Sequence, residues 1–264
     1  MTKPRVYERI RFCIEGDVAT ITLDHPETRN ALSWAMADEL SHAMNQLSRV
    51  RALVITGAGA AFCSGDDLGS PAARWQTFGD VMQDGIVTAI NPMMRKLALL
   101  RIPVIAAVNG AAVGAGTPLA LIADVVIAGE SAFFQPAFAS FGLAPDAGAS
   151  WILPRLVGRA RAMEMLLFAE RITAAKALEW GMIYRVAPDT SLLAEAQSVA
   201  HRLAGGPTLA FGLARQTVLA AMEGNFDAAL RNEANAQRIA GASRDCAEAV
   251  AAFLNKRAPA YQGK

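Results

Sequence analysis

Two glycine-rich turns contain the residues of this chain with the clearest potential for chemistry. The apolar run 104–108 predicts a strand, and Gly114-Ala115-Gly116 follows it just before an apolar helical segment. Unpaired backbone N–H groups collect at such a helix start, and the helix dipole favours negative charge there. A second run, 53–57, leads in the same way into Ser64-Gly65-Asp66. One glycine turn alone indicates only a tight connection, but two turns side by side could direct two N–H groups at one oxygen, as in an oxyanion hole.

Short strands alternate with helices in the first half of the chain, and helices dominate the second half. Apolar runs at 10–14 and 18–23 predict a β-hairpin, and Ser33 is a candidate cap for a helix that runs to about Ser48. The pattern of the next segments is typical of a sheet with crossover helices, with strands at 53–56, 104–108 and 125–128. Helices are predicted at 158–169, 173–180, 191–204, 207–223, 226–240 and 243–256.

The composition is that of a protein with a large buried core and nearly balanced charge. The chain has 264 residues, 53% of them hydrophobic, with a net charge of +1 and a mean hydropathy of +0.26. These values predict one large domain, or a domain with a small appendage, and they do not favour a nucleic-acid or membrane partner. Three scattered cysteines and a start without a signal-like apolar core predict reduced thiols and a cytoplasmic location.

Six segments, taken in their order and spacing, carry a resemblance to a known family. They are 29–32 (Arg-Asn-Ala-Leu), 61–68 (Ala-Phe-Cys-Ser-Gly-Asp-Asp-Leu), 103–110 (Pro-Val-Ile-Ala-Ala-Val-Asn-Gly), 123–128 (Ala-Asp-Val-Val-Ile-Ala), 141–148 (Phe-Gly-Leu-Ala-Pro-Asp-Ala-Gly) and 153–158 (Leu-Pro-Arg-Leu-Val-Gly). The chain thereby resembles the crotonase superfamily of enoyl-CoA hydratases and isomerases. One fold hosts many chemistries, so these segments are more specific for the fold than for the reaction.

The resemblance implies an architecture and an assembly. The expected fold class is α/β, a crotonase-like spiral of ββα units followed by a C-terminal helical trimerisation region. The acyl-CoA-binding core is expected at 1–200 and the helical oligomerisation region at 201–264. In the resembled family these helices build a homotrimer, often paired into a dimer of trimers, and we expect the same assembly here.

The resemblance also assigns two oxyanion-hole donors and a coenzyme A site. The donors are the backbone N–H groups of Asp66 and Ala115, and neither residue is a proline, which would lack the donor. The implied substrate is an acyl-CoA thioester bound around Arg29, Ala61, Cys63, Ser64, Leu68, Gly114, Phe138 and Trp151. A guanidinium at Arg29 suits the CoA phosphates, although a solvated charge between a strand and a helix explains this residue equally well.

The two glutamates that the resembled hydratases use to add water are both missing here. Pro118 occupies the position after the glycine turn and Phe138 occupies the second position, and neither side chain can transfer a proton. Asp146 matches the catalytic aspartate of enoyl-CoA isomerases such as ring-1,2-epoxyphenylacetyl-CoA isomerase. The residues alone explain Asp146 more simply as the N-cap of a helix that begins at Ala147.

The leading expectation is therefore an enoyl-CoA isomerase in which Asp146 moves a proton while the oxyanion hole holds a dienolate. Nearby aromatic side chains would raise the pKa of Asp146 if they line its pocket, namely Phe134, Phe138, Phe141 and Trp151. Two alternatives stay open. One is an enoyl-CoA hydratase with a divergent acid–base set, and the other is a non-catalytic crotonase-like protein that binds acyl-CoA or RNA.

No cofactor, metal, nucleic acid or membrane is expected as a partner. Coenzyme A is part of the substrate, and no dinucleotide fingerprint follows a strand in the required form. The histidines, His25, His42 and His201, are far apart and lack the spacing of metal ligands. Cys63 lies beside the first glycine turn without a base partner, so we expect its thiol to serve packing.

Overall fold

The computed structural model describes residues 6–67 and 78–264, which form two sheets with helices around them. The strands are β1 (Ile10–Glu15), β2 (Val18–Leu23), β3 (Ala52–Gly57), β4 (Ala61–Cys63), β5 (Val104–Val108), β6 (Ala111–Val113), β7 (Val125–Gly129), β8 (Phe133–Gln135), β9 (Ile172–Thr173) and β10 (Arg185–Ala187). The helices are α1 (Trp34–Met44), α2 (Phe78–Gly85), α3 (Asn91–Ala98), α4 (Gly116–Leu121), α5 (Ala149–Phe168), α6 (Ala174–Glu179), α7 (Leu192–Ala204), α8 (Thr208–Ala221), α9 (Phe226–Gly241) and α10 (Arg244–Leu254). Short 3-10 turns cover Pro26–Thr28 and Ala137–Phe141, and a π-helical turn at Ile86–Ile90 joins α2 to α3.

The larger sheet has the strand order β1-β2-β3-β5-β7-β10. β1 and β2 pair antiparallel across Gly16, whose φ of 59° is the left-handed conformation that suits a tight hairpin. From β2 onward every neighbouring pair in this order is parallel. β5 is buried along its whole length, as expected for a parallel strand covered on both faces. The predicted hairpin and the three predicted strands that follow it are confirmed.

The smaller sheet has the strand order β4-β6-β8-β9. Most of its strands are the second members of strand pairs that recur along the chain. β3, β5 and β7 lie in the larger sheet, whereas β4, β6 and β8, which follow them along the chain, pair parallel to each other in the smaller one. One or more helices follow each of these strand pairs. The chain is thus a spiral of ββα units followed by a helical C-terminal region, and the predicted α/β class is confirmed.

Two predicted helices differ in extent from those of the structure. Helix α1 begins as predicted, because the Ser33 hydroxyl accepts a 3.2 Å hydrogen bond from the Met36 N–H, but it ends at Met44, before Ser48. The chain turns there because the Asn45 N–H bonds back to the His42 carbonyl at 3.0 Å. Helix α5 begins at Ala149, so a helical segment that was not predicted precedes the predicted helix 158–169. Gly158, with φ of 76°, is non-helical and kinks α5, so the break predicted at this residue is present.

The predicted boundary between residues 200 and 201 falls inside α7. This helix packs on the larger sheet and shares a buried cluster with β3, β5 and β7, to which it contributes Leu192, Ala196, Val199, Ala200 and Ala204. The division of the chain into a binding core and an oligomerisation region therefore stays a prediction. Within the described ranges, no helix combines the length and the apolar character needed to cross a membrane.

Gly116 places the start of α4 directly against β4, and its replacement tests that contact. A Cβ at this position would lie 2.3 Å from the Cys63 carbonyl oxygen, so Gly116→Ala must push α4 and β4 apart. We expect the free energy of unfolding to fall by about 1–3 kcal/mol in urea titrations. Gly241→Ala, near the end of α9, is the control because a Cβ there meets nothing within 4 Å. Equal losses in the two variants would contradict the close packing.

Candidate functional site

The two glycine-rich turns meet backbone to backbone. A Cβ on Gly65 would lie 3.0 Å from the Val113 carbonyl oxygen and 3.4 Å from the Gly114 Cα, and a Cβ on Gly114 would lie 3.4 Å from the Gly65 Cα. Both glycines have positive φ, 95° at Gly65 and 51° at Gly114. Glycine is therefore needed at both positions for conformation, and the lack of side chains brings the turns together. The predicted juxtaposition of the two turns is present.

The backbone N–H groups of Asp66 and Ala115 take no part in the bridge and helix hydrogen bonds at this contact, and the Asp66 N–H bonds to the carboxyl group of the same residue. Leu32 forms an isolated parallel bridge with Asp66, and its N–H bonds to the Gly65 carbonyl at 2.7 Å. In a parallel bridge of this kind, Leu32 forms its hydrogen bonds with the residues on either side of Asp66 and not with Asp66 itself. The Asp66 N–H therefore points away from Leu32. Ala115 is the N-cap residue of α4, where the helix offers its N–H no acceptor. The Gly114 N–H, in contrast, is held by the Gln135 carbonyl at 2.9 Å.

The segment between β2 and α1 supports the first of these turns. The Ser64 N–H donates to the Arg29 carbonyl at 3.1 Å, and the Ser64 hydroxyl donates to the Thr28 carbonyl at 2.8 Å. The buried Asn30 side chain donates to the Ala61 carbonyl at 2.8 Å. Arg29 and Asn30 both adopt left-handed φ values, 55° and 59°, and this bend leaves the Arg29 side chain exposed beside the turn. These hydrogen bonds from Ser64 and Asn30 hold the first turn against the segment between β2 and α1.

Asp146 is not the N-cap of α5, so that alternative is wrong. The cap position belongs to Gly148, which has φ of 85° and no side-chain capping bond. Ala147 just before it also has positive φ, 47°, which is unusual for a residue with a Cβ. These two residues turn the chain sharply between Asp146 and the helix. One carboxyl oxygen of Asp146, Oδ1, is buried and has no hydrogen-bond partner among the described residues.

The carboxyl groups of Asp66 and Asp146 hydrogen-bond each other. Two carboxylates can only accept, so this contact requires at least one proton in the pair. Burial, the charge of Asp66 and the hydrogen bond to it raise the pKa of Asp146 to about 7. Burial also raises the pKa of Asp66, against the opposing effects of the bond with Asp146 and of its own backbone N–H. A proton can therefore be taken up or released at this site near neutral pH.

The side chain of Asp66 is part of the site but was not among the predicted acid–base groups. The resemblance assigns only a backbone donor to this position, whatever its side chain. The available signal was an acidic residue directly at a predicted oxyanion-hole position. Its contact with Asp146 was not visible, because the two residues are far apart in sequence and only the tertiary fold brings them together.

The aromatic residues near Asp146 in sequence differ in burial. Phe134 and Phe138 are buried in the main hydrophobic core, whereas Phe141 is 66% exposed, and a lining of the Asp146 pocket by these rings stays a prediction. Trp151 lines a cavity of about 460 Å³ that adjoins the chain directly after Asp146. Pro118 is buried in the first turn of α4, so neither it nor Phe138 offers a proton-transfer group.

The predicted binding residues have different surroundings. The Ala61 carbonyl is used by two side-chain amides, those of Asn30 and Asn109, and Gly114 lies in the second turn. Burial raises the pKa of the Cys63 thiol to about 12, so this thiol stays protonated and packs in the core. Leu68 lies outside the described residues. No cluster of three potential metal ligands occurs within 6–67 and 78–264.

Known proteins resemble this chain over almost its whole length. Residues 14–264 match the family model described as Enoyl-CoA hydratase/isomerase. A probable enoyl-CoA hydratase of Rhodobacter capsulatus is 45% identical over 259 residues, 98% of this chain and 99% of the relative. The 1,2-epoxyphenylacetyl-CoA isomerase of Escherichia coli K12 is 42% identical over 254 residues, 95% and 97% of the two chains. The crystal structure of an enoyl-CoA hydratase from Polaromonas sp. JS666 superposes with a TM-score of 0.91 at 34% identity, covering 96% of this chain and 99% of that one.

The raised pKa of Asp146 predicts how stability depends on pH. The folded protein holds this proton more tightly than the unfolded chain, whose carboxyl group titrates near 3.8. The contribution of Asp146 to the free energy of unfolding is therefore full below the unfolded-state pKa and falls as pH rises to about 7. Each unit of difference between the two pKa values corresponds to about 1.4 kcal/mol.

Asp146→Asn should remove this dependence, so the variant should gain stability relative to the wild type as pH rises from 4 to about 7. Urea denaturation at a series of pH values measures it. Asp84→Asn, at an exposed position on α2, is the control and should run parallel to the wild type. An unchanged stability difference between Asp146→Asn and the wild type across this range would contradict the raised pKa.

Proposed function

Because this chain belongs to the enoyl-CoA hydratase/isomerase family, we propose that it moves a double bond within an enoyl-CoA thioester, with Asp146 as its acid–base residue. The observation that carries this proposal is a single carboxyl group with a pKa of about 7, beside two glycine turns that meet at the backbone. A group that both takes and returns a proton works best when its pKa lies near the working pH.

The proposed reaction is a 1,3-proton shift. The thioester oxygen accepts hydrogen bonds from the Asp66 and Ala115 N–H groups, which acidifies the carbon-bound proton next to the carbonyl. The ionised Asp146 takes that proton, and the electron pair of the C–H bond moves into a dienolate whose charge rests on the thioester oxygen. Asp146 then returns a proton two carbons away, and the electrons of the dienolate form the new C–H bond. No atom is gained or lost overall, so the reaction needs no cofactor.

Hydration is the second candidate, and one observation favours it: the relative from Rhodobacter capsulatus carries the name of a probable hydratase at 45% identity. Hydration requires a water held between an acid and a base. Here Pro118 and Phe138 supply neither group, and the Asp146 carboxyl group is hydrogen-bonded to Asp66. The geometry therefore supports isomerisation better.

We assign the coenzyme A part of the substrate to the outer side of the first turn. The Ser64 N–H bonds to the Arg29 carbonyl, which holds Arg29 beside the first turn. The Arg29 side chain is exposed there, so its guanidinium is available to a phosphate of coenzyme A. The backbone of Ala61, Cys63 and Gly114 completes this proposed path. The cavity beside Trp151 is the proposed place for the acyl chain, since it adjoins the segment that holds Asp146.

We also infer a homotrimer or a dimer of trimers from the apolar surface of the helical region. Large apolar side chains are strongly exposed on α5, α9 and α10, among them Leu167, Phe168, Phe226, Phe253 and Leu254 at 64%, 70%, 76%, 81% and 73%. Such a surface is typical of an interface that is covered in the assembled protein. Light scattering should give a mass three or six times that of the 27.9 kDa chain. A monomer at micromolar concentration would contradict this assembly.

Ala115→Pro tests the second oxyanion donor. Ala115 has φ of −60°, which a proline adopts without strain, so the variant loses the N–H while the backbone conformation is kept. Turnover of a 3-enoyl-CoA should fall about a hundredfold to a thousandfold, the usual effect of losing one such donor. Ala115→Ser adds volume but keeps the N–H, so it should retain most of the rate. Near-full turnover by a folded Ala115→Pro enzyme would exclude Ala115 as a donor.

Asp146→Asn tests the acid–base assignment. The amide matches the carboxyl group in size but cannot take a proton, so the isomerase rate should fall by roughly two or more orders of magnitude. Circular dichroism checks the fold, and Asp84→Asn is again the matched control. If Asp146→Asn isomerises a 3-enoyl-CoA at close to the wild-type rate, or readily hydrates a 2-enoyl-CoA, another group performs the chemistry and the proposed function is wrong.

A further inference from the structure

The mechanism above uses only one of the two carboxyl groups that meet at the site. The Asp66 carboxyl group faces Asp146 from the turn after β4, and the two are hydrogen-bonded. Asp66 directly follows Gly65, whose backbone lies against that of Gly114, so the contact between the two turns sets the position of the Asp66 backbone. On the Asp146 side, the remaining oxygen Oδ1 is buried without a described partner. The first glycine turn thus carries both a proposed oxyanion donor, the Asp66 N–H, and the carboxyl group that contacts the proposed base Asp146.

We propose that Asp66 and Asp146 work as one carboxyl pair that shares a proton, so that the base of this enzyme is a singly charged pair and not one isolated carboxylate. This inference rests on the proposed function, in which Asp146 moves the substrate proton. Asp66 is the positioning residue of the pair, because it acts on the substrate through Asp146.

The location of Asp66 gives a physical reason for the shared proton. The backbone N–H of the same residue is the proposed donor to the thioester oxygen, on which the negative charge of the dienolate develops. A carboxylate beside that oxygen would repel the developing charge, since like charges at short range disfavour each other strongly in a partly buried site. When the two carboxyl groups share one proton, the pair carries one negative charge near that oxygen, where two separate carboxylates would carry two.

The proton balance of the pair closes over one turnover. The pair begins with one proton and accepts a second from the carbon next to the thioester carbonyl, as that C–H electron pair passes to the thioester oxygen. The pair then holds two protons, and the dienolate holds the negative charge. One proton is delivered to the carbon two positions away, a C–H bond forms from the dienolate electrons, and the pair returns to one proton.

Few other titratable groups face this pair. On the β4 side the Cys63 thiol stays neutral, with a pKa of about 12, and its neighbour is Asp66. Arg95 on α3 and Glu223 after α8 line the cavity beyond Ala147, and both side chains are exposed to solvent. Among the described residues, Asp66 is the charged group that acts on Asp146.

Titration of the carboxyl carbons tests the pair directly. In protein labelled with ¹³C-aspartate, the Asp66 and Asp146 resonances of the wild type should both respond to the same two pH steps, because coupled groups titrate as a pair. In Asp66→Asn, the Asp146 midpoint should fall by about one unit or more, since the neighbouring charge is lost and an amide N–H can donate to the carboxylate. A single-step wild-type titration of Asp146, or an unchanged midpoint in Asp66→Asn, would overturn the proposal. The wild-type result decides even if the variant fails to fold.

Two kinetic readouts complete the test, and a purely structural role of Asp66 would move neither. The pair is singly charged only between its two titration steps, so kcat/KM of the wild type should fall as pH rises through the upper step, and this alkaline limb should be absent in Asp66→Asn and unchanged in Asp84→Asn. The second readout uses a 3-enoyl-CoA that carries deuterium on the carbon next to the carbonyl. In a single turnover of the wild type, the fraction of that deuterium found in the new C–H bond should be at most about one half, because the pair then holds the deuteron together with its own proton. The transferred fraction should rise in Asp66→Asn. Equal fractions in the two proteins would contradict proton sharing.

These outcomes separate the pair from the proposed function. If the wild type isomerises enoyl-CoA but Asp146 titrates alone, the proposed function stands and the pair is wrong. If the two carboxyl groups titrate together but no isomerase activity is found, the pair exists and the proposed reaction is wrong.

Discussion

The site depends on the contact between the Gly65 and Gly114 backbones. A side chain on either residue would touch the opposite turn, and both residues adopt φ values that favour glycine. The contact places the following residues, Asp66 and Ala115, with their N–H groups outside the regular hydrogen bonding of the bridge and the helix. Two donors can converge on one oxygen only if the turns approach this closely, so the proposed dienolate stabilisation follows from the absence of two side chains.

The spiral of ββα units explains how two segments so far apart in sequence come into contact. The first turn follows β4 and the second follows β6, and these strands are parallel neighbours in the smaller sheet. The next strand of that sheet, β8, leads to the segment that ends at Asp146. Three successive units therefore place the two proposed donors and the proposed base near one edge of this sheet. The proton-transfer group lies near the start of α5, where two consecutive left-handed residues redirect the chain.

The parts of this structure that depend on local pattern were predictable from sequence. Apolar, β-branched runs gave the parallel strands and the hairpin, and Ser33 gave the start of α1, because these signals act within a few residues. A break at Gly158 was predictable and is present as a kink, but the helical segment before it was not predicted, since a glycine in a helical pattern marks either an end or a kink and only packing decides between them. The Asp146 cap was mistaken for a related reason: the short segment after it turns twice before the helix begins.

The carboxyl pair could not be predicted, because a contact between distant residues leaves no mark in their spacing. Asp66 appeared only as a backbone donor, and Asp146 only as one base. Burial of both groups in one place changes their chemistry, since burial raises the pKa of Asp66 and burial together with the charge of Asp66 raises the pKa of Asp146 to about 7. The same fold with different side chains at these two positions would keep the oxyanion turns and lose this acid–base behaviour.

The central claim is that the site moves a double bond and does not add water. The most direct measurement incubates the wild-type protein separately with a 3-enoyl-CoA and a 2-enoyl-CoA and follows the products by NMR and mass spectrometry. The account predicts that both substrates reach the same mixture of double-bond isomers at unchanged mass. A 3-hydroxyacyl-CoA as the main product from the 2-enoyl-CoA would contradict it.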